Sequence, residues 1–335
     1  SVSPDDALDS VREMRDVLSG HLDALAGAVA RSYTKTSKEE TMMEGAMRRW
    51  VSAMAVGAVV VPALGVASLA TPAAAEEAWE SLATISADPR PTWQTNGVAW
   101  TVEAVGDVVY VGGSFTKVRP PGVATGGAGE VERLNFAAFD AVTGDLLPCA
   151  PSFTRSSGTA WVRTLEGSPD GSRLYVGGSF GRVGTTGVAN LVALDTATCA
   201  LVPTSSFRRP AVNGVVRAIS ATPDRVYFAG EFGQVDGQTR GRFAVVTSAG
   251  ALTAATATFN TTVRALIAAP EVGKVVVGGD FATVNGVANR GLVSLSPDTG
   301  AIVQSYPGWI PNNSVVHVLT RDGDRFYVGA EGTGT

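Results

Sequence analysis

Apolar and polar residues alternate in short runs along residues 99–335, and this pattern predicts β-strands. The runs NFAAFD, NLVALD, RFAVVT and GLVSLS begin at positions 135, 190, 242 and 291, and residues typical of turns surround them. Short alternating strands joined by tight turns are typical of all-β domains. We therefore predict an all-β architecture for this part of the chain.

The first 75 residues follow different patterns. In residues 7–31 apolar side chains recur at spacings of three, four and seven, which predicts one amphipathic helix. Residues 51–70 carry no charge, follow a pair of arginines at 48–49 and lead to Ala73 and Ala75. This order is typical of a secretory signal, with cleavage expected after the second of these alanines.

The uncharged run at 51–70 is also long enough to span a bilayer, so an uncleaved anchor is the alternative. In both cases the residues from 76 onwards are expected to be exported. Residues 1–41 are either a segment read from upstream of the true start or a helix in the cytoplasm. The predicted divisions are this segment (1–41), the signal peptide or signal anchor (42–75), a linker with a closing outer strand (76–98) and the repeats (99–335).

One hexapeptide defines the repeats. YVGGSF occurs at 110–115 and again at 175–180, and degenerate copies follow at 227–232, 276–281 and 327–332. Each copy belongs to a set of four predicted short strands, and radial repetition of four-stranded sheets is typical of a β-propeller. The recurring glycine and phenylalanine positions are Gly112, Gly113, Phe115, Gly177, Gly178, Phe180, Gly230, Phe232, Gly278, Gly279 and Phe281.

The motif Y-V-G-G-x-F-x-x-V-x-G, followed by a strand that closes in L-x-x-x-T-G, resembles the delta-sixty repeat. The resemblance covers about residues 90–335. It implies a β-propeller in a secreted or cell-surface bacterial protein, often actinobacterial, of a class whose function is largely unknown. Four full repeats and a partial fifth are counted, so we expect a truncated array whose gene continues. PTWQTNGVAW (91–100) matches the ends of later repeats, so we expect it to supply the outer strand that closes the ring.

The glycine pairs resemble the glycine-rich sequence of a phosphate-binding loop, but no helix is predicted to follow them. Without a helix N-terminus to receive a phosphate, that function is poorly supported. We interpret the pairs as positions of close backbone approach.

Composition narrows the classes of ligand. The formal net charge is −5 and the chain has two histidines and two cysteines. A negative net charge argues against a nucleic-acid partner, and no zinc-ligand spacing is present. We therefore predict neither metal nor cofactor.

The predicted innermost strands carry polar residues that we align in register. These are Glu103, Arg163, Arg217, Arg264 and His317. They could form a mainly positive ring for a carboxylate, a phosphate or an acidic sugar. The structural alternative is ion pairing between repeats with Glu231, Asp280 and Glu331.

Cys149 and Cys199 lie in adjacent repeats of the part expected to be exported, where a disulfide would persist. Cys199 replaces a turn glycine, whereas Cys149 lies five positions past the corresponding turn. This offset predicts that the two residues are separated along the repeat, although a disulfide between them stays open.

These observations favour an exported, non-catalytic binding module at the cell surface or outside the cell, with a cell-wall glycan or a surface protein as its partner. One alternative is a glycan-active hydrolase or lyase that uses carboxylates at the mouth of the channel. Another is a single-pass membrane sensor with an extracellular propeller.

Overall fold

The computed structural model describes residues 92–311, 314–323 and 325–331, and these residues form an all-β structure. The predicted helix and the predicted signal segment, including residues 51–70, Ala73 and Ala75, lie outside the described residues. Among the residues described, no helix is long and apolar enough to cross a membrane.

The strands fall into five successive repeats. Repeat 1 contains β1 (Gln94–Thr95), β2 (Val98–Val105), β3 (Val108–Ser114), β4 (Lys117–Arg119), β5 (Val131–Glu132) and β6 (Phe136–Asp140). Repeat 2 contains β7 (Phe153–Thr154), β8 (Trp161–Gly167), β9 (Arg173–Ser179), β10 (Arg182–Val183), β11 (Thr186–Gly187) and β12 (Leu191–Asp195). Repeat 3 contains β13 (Val215–Ala221), β14 (Arg225–Glu231), β15 (Gln234–Val235), β16 (Gln238–Thr239), β17 (Arg242–Thr247) and β18 (Leu252–Thr258).

Repeat 4 contains β19 (Val263–Ala269), β20 (Lys274–Gly279), β21 (Thr283–Val284), β22 (Val287–Ala288), β23 (Leu292–Leu295) and β24 (Ile302–Ser305). A short 3-10 helix, Pro270–Val272, joins its first two strands. Repeat 5 contains β25 (Val315–Asp322) and β26 (Arg325–Glu331).

Each repeat is built on an antiparallel hairpin. The main sheets of repeats 3 and 4 have four strands, in the orders β13-β14-β17-β18 and β19-β20-β23-β24. The main sheets of repeats 1 and 2 have three strands each. In place of a fourth strand, each has a single β-bridge, between Phe139 and Leu146 in repeat 1 and between Leu194 and Leu201 in repeat 2. The prediction of many short antiparallel strands is confirmed.

The apolar core lies between consecutive repeats. Phe136 and Ala138 of β6 pack in one cluster with Val162 and Phe180 of repeat 2, whereas Ala137 packs on the opposite face of the sheet. Since both faces of these central strands are buried, their sequences are nearly continuously apolar. The repeats are therefore stacked side by side through their sheet faces.

The first strands β2, β8, β13, β19 and β25 contact one another in chain order. Within the described ranges no strand pairing joins repeat 5 to repeat 1, so a closed ring is not present there. Val102 in repeat 1 is 62% exposed, whereas Leu165 and Ile219, at the same register position in repeats 2 and 3, are each 5% exposed. A preceding repeat is what buries this position.

The segment predicted to close the ring has another partner in the structure. Gln94 and Thr95 pair with Arg119 and Val118 of repeat 1 itself. In repeat 2, Phe153 pairs with Val183 in the same way. Residues 94–95 thus belong to the local sheet of repeat 1, and the closing outer strand within 76–98 stays a prediction.

Arginine side chains link neighbouring repeats at the ends of the hairpins. Arg173 of repeat 2 donates to the Ser248 carbonyl of repeat 3 at 2.7 Å. Arg225 of repeat 3 donates to the Pro297 carbonyl and to Asp298 of repeat 4, at 3.0 and 2.6 Å. These bonds add a directional contact to the apolar packing.

Cys149 and Cys199 form a disulfide, with their Cα atoms 5.5 Å apart. The predicted separation along the repeat is wrong because Cys149 does not continue the strand of repeat 1. It lies on the connection to Phe153, which already pairs within repeat 2. The disulfide therefore ties the outer ends of two adjacent repeats together.

The glycine pairs end the second strands, where backbone and side chains of two repeats crowd together. A Cβ atom on Gly177 would lie 2.6 Å from Val216 Cγ1 of the next repeat and 2.8 Å from Thr164 Cγ2. A Cβ on Gly178 would lie 3.0 Å from the Val162 Cα of its own hairpin. The absence of a side chain at the first glycine thus allows close packing between repeats. At the second glycine it allows close approach of the two strands within the hairpin.

We expect the Gly177→Ala variant to lower the free energy of unfolding by about 2 kcal/mol, because the added methyl group overpacks the contact with Val216. Gly181→Ala is the matched control, since a Cβ there meets no atom within 4 Å. Urea unfolding of both variants measures the difference. Equal stabilities of the two variants would contradict this account of the glycine pairs.

Candidate functional site

A β-bulge at the same place in every first strand turns one side chain out of the pairing. The register shifts fall between residues 99 and 101, 162 and 164, 216 and 218, 263 and 265, and 316 and 318. Bulges of this kind re-aim a side chain while the strand continues. We call the five bulged residues the bulge row: Trp100, Arg163, Arg217, Arg264 and His317.

The sequence alignment placed Glu103 in this row, and that assignment is wrong. Ala99 pairs with Gly113 as Val162 pairs with Gly178, so Trp100 is the equivalent of Arg163. The dipeptide Val102-Glu103 resembles Val-Arg in the later repeats, which shifted the alignment by three residues. The other four predicted members are all bulged residues.

Glu103 instead joins two repeats. Its Oε1 accepts a hydrogen bond from the backbone N–H of Gly167 at 3.0 Å. At the same register position, Glu166 accepts from the Ala221 N–H at 2.9 Å and Ser220 accepts from the Ala268 N–H at 3.2 Å. These bonds hold consecutive first strands at a fixed spacing.

The bulge row lines one cleft of about 530 Å³. Its walls also include Thr101, Val102, Glu166, Ser220 and Val318 from the first strands of repeats 1, 2, 3 and 5. A volume of this size is within the range of pockets for small ligands. The structure therefore brings four of the five predicted ring residues together, with Trp100 as the fifth.

A second row of residues faces the bulge row from the ends of the second strands. These residues directly follow the glycine pairs or their equivalents, and we call them the acceptor row: Ser114, Ser179, Glu231, Asp280 and Glu331. Trp100 Nε1 donates to Ser114 Oγ at 3.3 Å and Arg217 Nε donates to Glu231 Oε1 at 2.6 Å. Such a pair forms in four of the five repeats, and repeat 2 is the exception.

In repeats 3, 4 and 5 the acceptor row supplies carboxylates. Arg264 makes two hydrogen bonds to Asp280, one of them 2.8 Å long between Nη2 and Oδ2, and this contact raises the pKa of the guanidinium. His317 Nε2 lies 3.1 Å from Glu331 Oε1. The expected ion pairing has the predicted acids as partners, but each pair lies within one hairpin, so the expectation that it joins neighbouring repeats is wrong. These acids neutralise most of the positive charge expected for the ring.

Arg163 differs from the other cations of the bulge row. The acceptor at its position is Ser179, a buried serine whose Oγ accepts from Arg155 instead. Among the residues described, Arg163 makes no ion pair with a carboxylate. Its guanidinium carbon lies 3.9 Å from the centroid of the Trp100 ring, a cation–π contact.

The charge around Arg163 remains positive. Burial, followed by the charges of Arg217 and Arg264, lowers the pKa of the Arg163 guanidinium, and Glu231 opposes this effect. The guanidinium stays protonated at neutral pH because its ordinary pKa is far above 7. A bound anion would therefore be stabilised most strongly by electrostatic attraction at this end of the cleft.

Glu166 is a carboxylic acid that lines the cleft. Burial raises its pKa to about 7, and the nearby charge of Glu103 acts in the same direction. The hydrogen bond from the Ala221 N–H opposes the increase. Near neutral pH both the protonated and the ionised form of this side chain are therefore populated.

Sequence reasoning found the three acids of the acceptor row but missed its two serines, together with Trp100 and Glu166. One signal could have corrected the register: an asparagine stands four residues before the bulge in several repeats, as at Asn96, Asn213 and Asn260. Asn213 Oδ1 accepts from the backbone N–H groups of Gly233 and Gln234, each at 2.9 Å. Asn96 and Asn260 make the same pair of bonds in their own repeats.

No group of three His, Cys, Asp or Glu side chains in the described ranges is placed to hold a metal ion. Neither a scan of protein-family models nor a search of curated proteins finds a match to the chain. The resemblance to the delta-sixty repeat thus stays a prediction from the sequence motif.

Proposed function

We propose that this chain is a non-catalytic binding module that holds a polar ligand in the cleft lined by the bulge row. The observation that carries the proposal is the repeated bulge, which aims one aromatic and four nitrogen-bearing side chains from five strands into one cleft. Binding pockets are often formed by side chains that a rigid scaffold holds in place. Here five strands each contribute one side chain to the same cleft.

We further propose that the repeats belong to a β-propeller of the delta-sixty type. The side-by-side stacking of the repeats and the chain-order contacts of their first strands support this architecture. Val102 at one end and Tyr327 at the other are exposed, although their register equivalents are buried inside the stack. A further repeat would cover each of these faces.

Export to the cell surface or the extracellular space is part of the same proposal. The disulfide between Cys149 and Cys199 supports it, because disulfides persist in oxidising compartments. A cell-wall glycan or a surface protein is the partner that suits this location. The membrane-sensor alternative depends on residues 51–70, which lie outside the described residues.

A hydrolase or lyase finds less support. Glu166, with its raised pKa, could serve as a general acid in the cleft. Glycoside hydrolysis usually needs a second carboxylate opposite the first. Glu231 and Asp280 are instead engaged by Arg217 and Arg264.

Filling the cleft tests the binding function. Val318 lines the cleft and is 56% exposed, so a Val318→Trp variant should fold and occupy ligand space. We expect it to weaken binding of soluble cell-wall glycan fragments about tenfold in calorimetry. Val142→Trp, at an exposed turn outside the cleft, is the matched control. Absence of binding to the unmodified protein, or equal effects of both substitutions, would overturn the proposal.

A further inference from the structure

We propose that Arg163 and Trp100 form a subsite for the carboxylate of an acidic sugar. This inference rests on the proposed binding function and adds the chemical class of the ligand and its orientation. It follows from the difference between repeat 2 and the repeats that carry acids in the acceptor row.

The first step is the unequal distribution of charge along the cleft. Arg217 and Arg264 are matched by Glu231 and Asp280 in their own hairpins. At Arg163 the matching position is Ser179, which brings no charge. A ligand carboxylate at this place would supply the negative charge that the other arginine-bearing repeats carry themselves.

The second step is the orientation of the guanidinium. The Arg163 guanidinium carbon lies 3.9 Å from the centroid of the Trp100 ring. A guanidinium held over an aromatic ring keeps the N–H groups at its edge available for hydrogen bonds in its own plane. Two parallel N–H groups match a carboxylate in a bidentate arrangement.

The third step selects the kind of anion. Glu231 acts on Arg163 through its charge, so the subsite is flanked by an acid as well as by two arginines. A singly charged carboxylate suits this balance better than a phosphate monoester, which carries nearly two negative charges at neutral pH. Polar side chains in the rest of the cleft can form hydrogen bonds with the hydroxyl groups of a sugar. Trp100 is 45% exposed, so its ring can pack against an apolar face of the sugar.

The test compares tri-galacturonate with its methyl ester, in which each carboxylate is replaced by an uncharged COOCH₃ group on the same sugar chain. We expect calorimetry to show that the unmodified protein binds tri-galacturonate at least about tenfold more tightly than the ester. Arg163→Gln should abolish this preference, because it should weaken binding of tri-galacturonate at least about tenfold more than binding of the ester. Arg182→Gln, an exposed arginine of repeat 2 outside the cleft, should retain the preference.

A second variant is expected to strengthen the binding of tri-galacturonate instead of weakening it. Glu231→Ser removes the acid that engages Arg217, so binding of tri-galacturonate should become tighter by about threefold or more relative to binding of the ester. This result does not depend on the folding of the Arg163 variant. Circular dichroism checks that each variant is folded.

The outcomes separate the two proposals. If the unmodified protein binds neither probe nor any neutral glycan fragment, the binding function itself fails. If it binds the ester and tri-galacturonate equally, or if Arg163→Gln weakens both to the same degree, the carboxylate subsite is wrong and the binding function stands. Tighter binding of galactose 1-phosphate, which has a phosphate and no carboxylate, than of galacturonate would overturn the choice of carboxylate over phosphate.

Discussion

Reduction of the Cys149–Cys199 disulfide is expected to lower the free energy of unfolding by about 4 kcal/mol. The two cysteines are 50 residues apart in sequence, and the bond restricts a long loop in the unfolded chain. It also anchors the connection between repeats 1 and 2, where Cys149 packs at the edge of their shared core. The loss should therefore appear as a decrease in global stability.

Guanidinium unfolding with and without reductant measures this loss. The double variant Cys149→Ser, Cys199→Ser should match the reduced protein and should not respond to reductant. Its insensitivity is the control for any other effect of the reductant. If the oxidised protein and the double variant unfold at the same denaturant concentration, the disulfide does not contribute as expected.

Stability is also expected to fall as the pH rises from about 4.5 to about 7. Burial raises the pKa of Glu166 from its ordinary value of 4.5 to about 7. In this window the folded protein keeps a proton at Glu166 that the unfolded chain has released, so a rising pH favours unfolding. The difference between the two pKa values corresponds to about 3 kcal/mol, present below the window and lost above it. The charge that faces Glu166 is Glu103, and its other polar contact is the Ala221 N–H.

The Glu166→Gln variant isolates this effect. An amide oxygen can still accept from the Ala221 N–H, but the side chain no longer titrates. The variant should be more stable than the unmodified protein at pH 8, by up to about 3 kcal/mol, and similar to it at pH 4.5. Glu132→Gln, at an exposed carboxylate, should follow the unmodified protein at both pH values. Identical pH profiles of the Glu166 variant and the unmodified protein would contradict the expectation.

The strand pattern was predictable because the apolar periodicity is local. Runs such as NFAAFD alternate faces within one strand, and the recurring hexapeptide marks the end of each second strand. The stacking of repeats also follows from the sequence, since strands buried on both faces must have neighbours on both sides. These features need no knowledge of side-chain geometry.

The register of the cleft was harder to predict because a bulge changes which residues are equivalent. Position counting placed Glu103 beside Arg163, whereas strand pairing places Trp100 there. The disulfide was misjudged for a related reason: the offset of Cys149 was counted along a strand that the chain had already left. The raised pKa of Glu166 depends on burial between two repeats, which a one-dimensional sequence does not contain.

The acceptor row has a consequence for how such a chain could change its specificity. The acceptor-row position, directly after the glycine pair, is serine in two repeats, glutamate in two and aspartate in one. The backbone pairing around this position is the same. Exchanging a serine for an acid there would switch one repeat from attracting an anion to compensating its own cation. In repeats 2, 3 and 4, where the bulged residue is an arginine, this position decides whether the repeat neutralises its own cation, so single substitutions there would change the charge of the cleft while the backbone pairing stays the same.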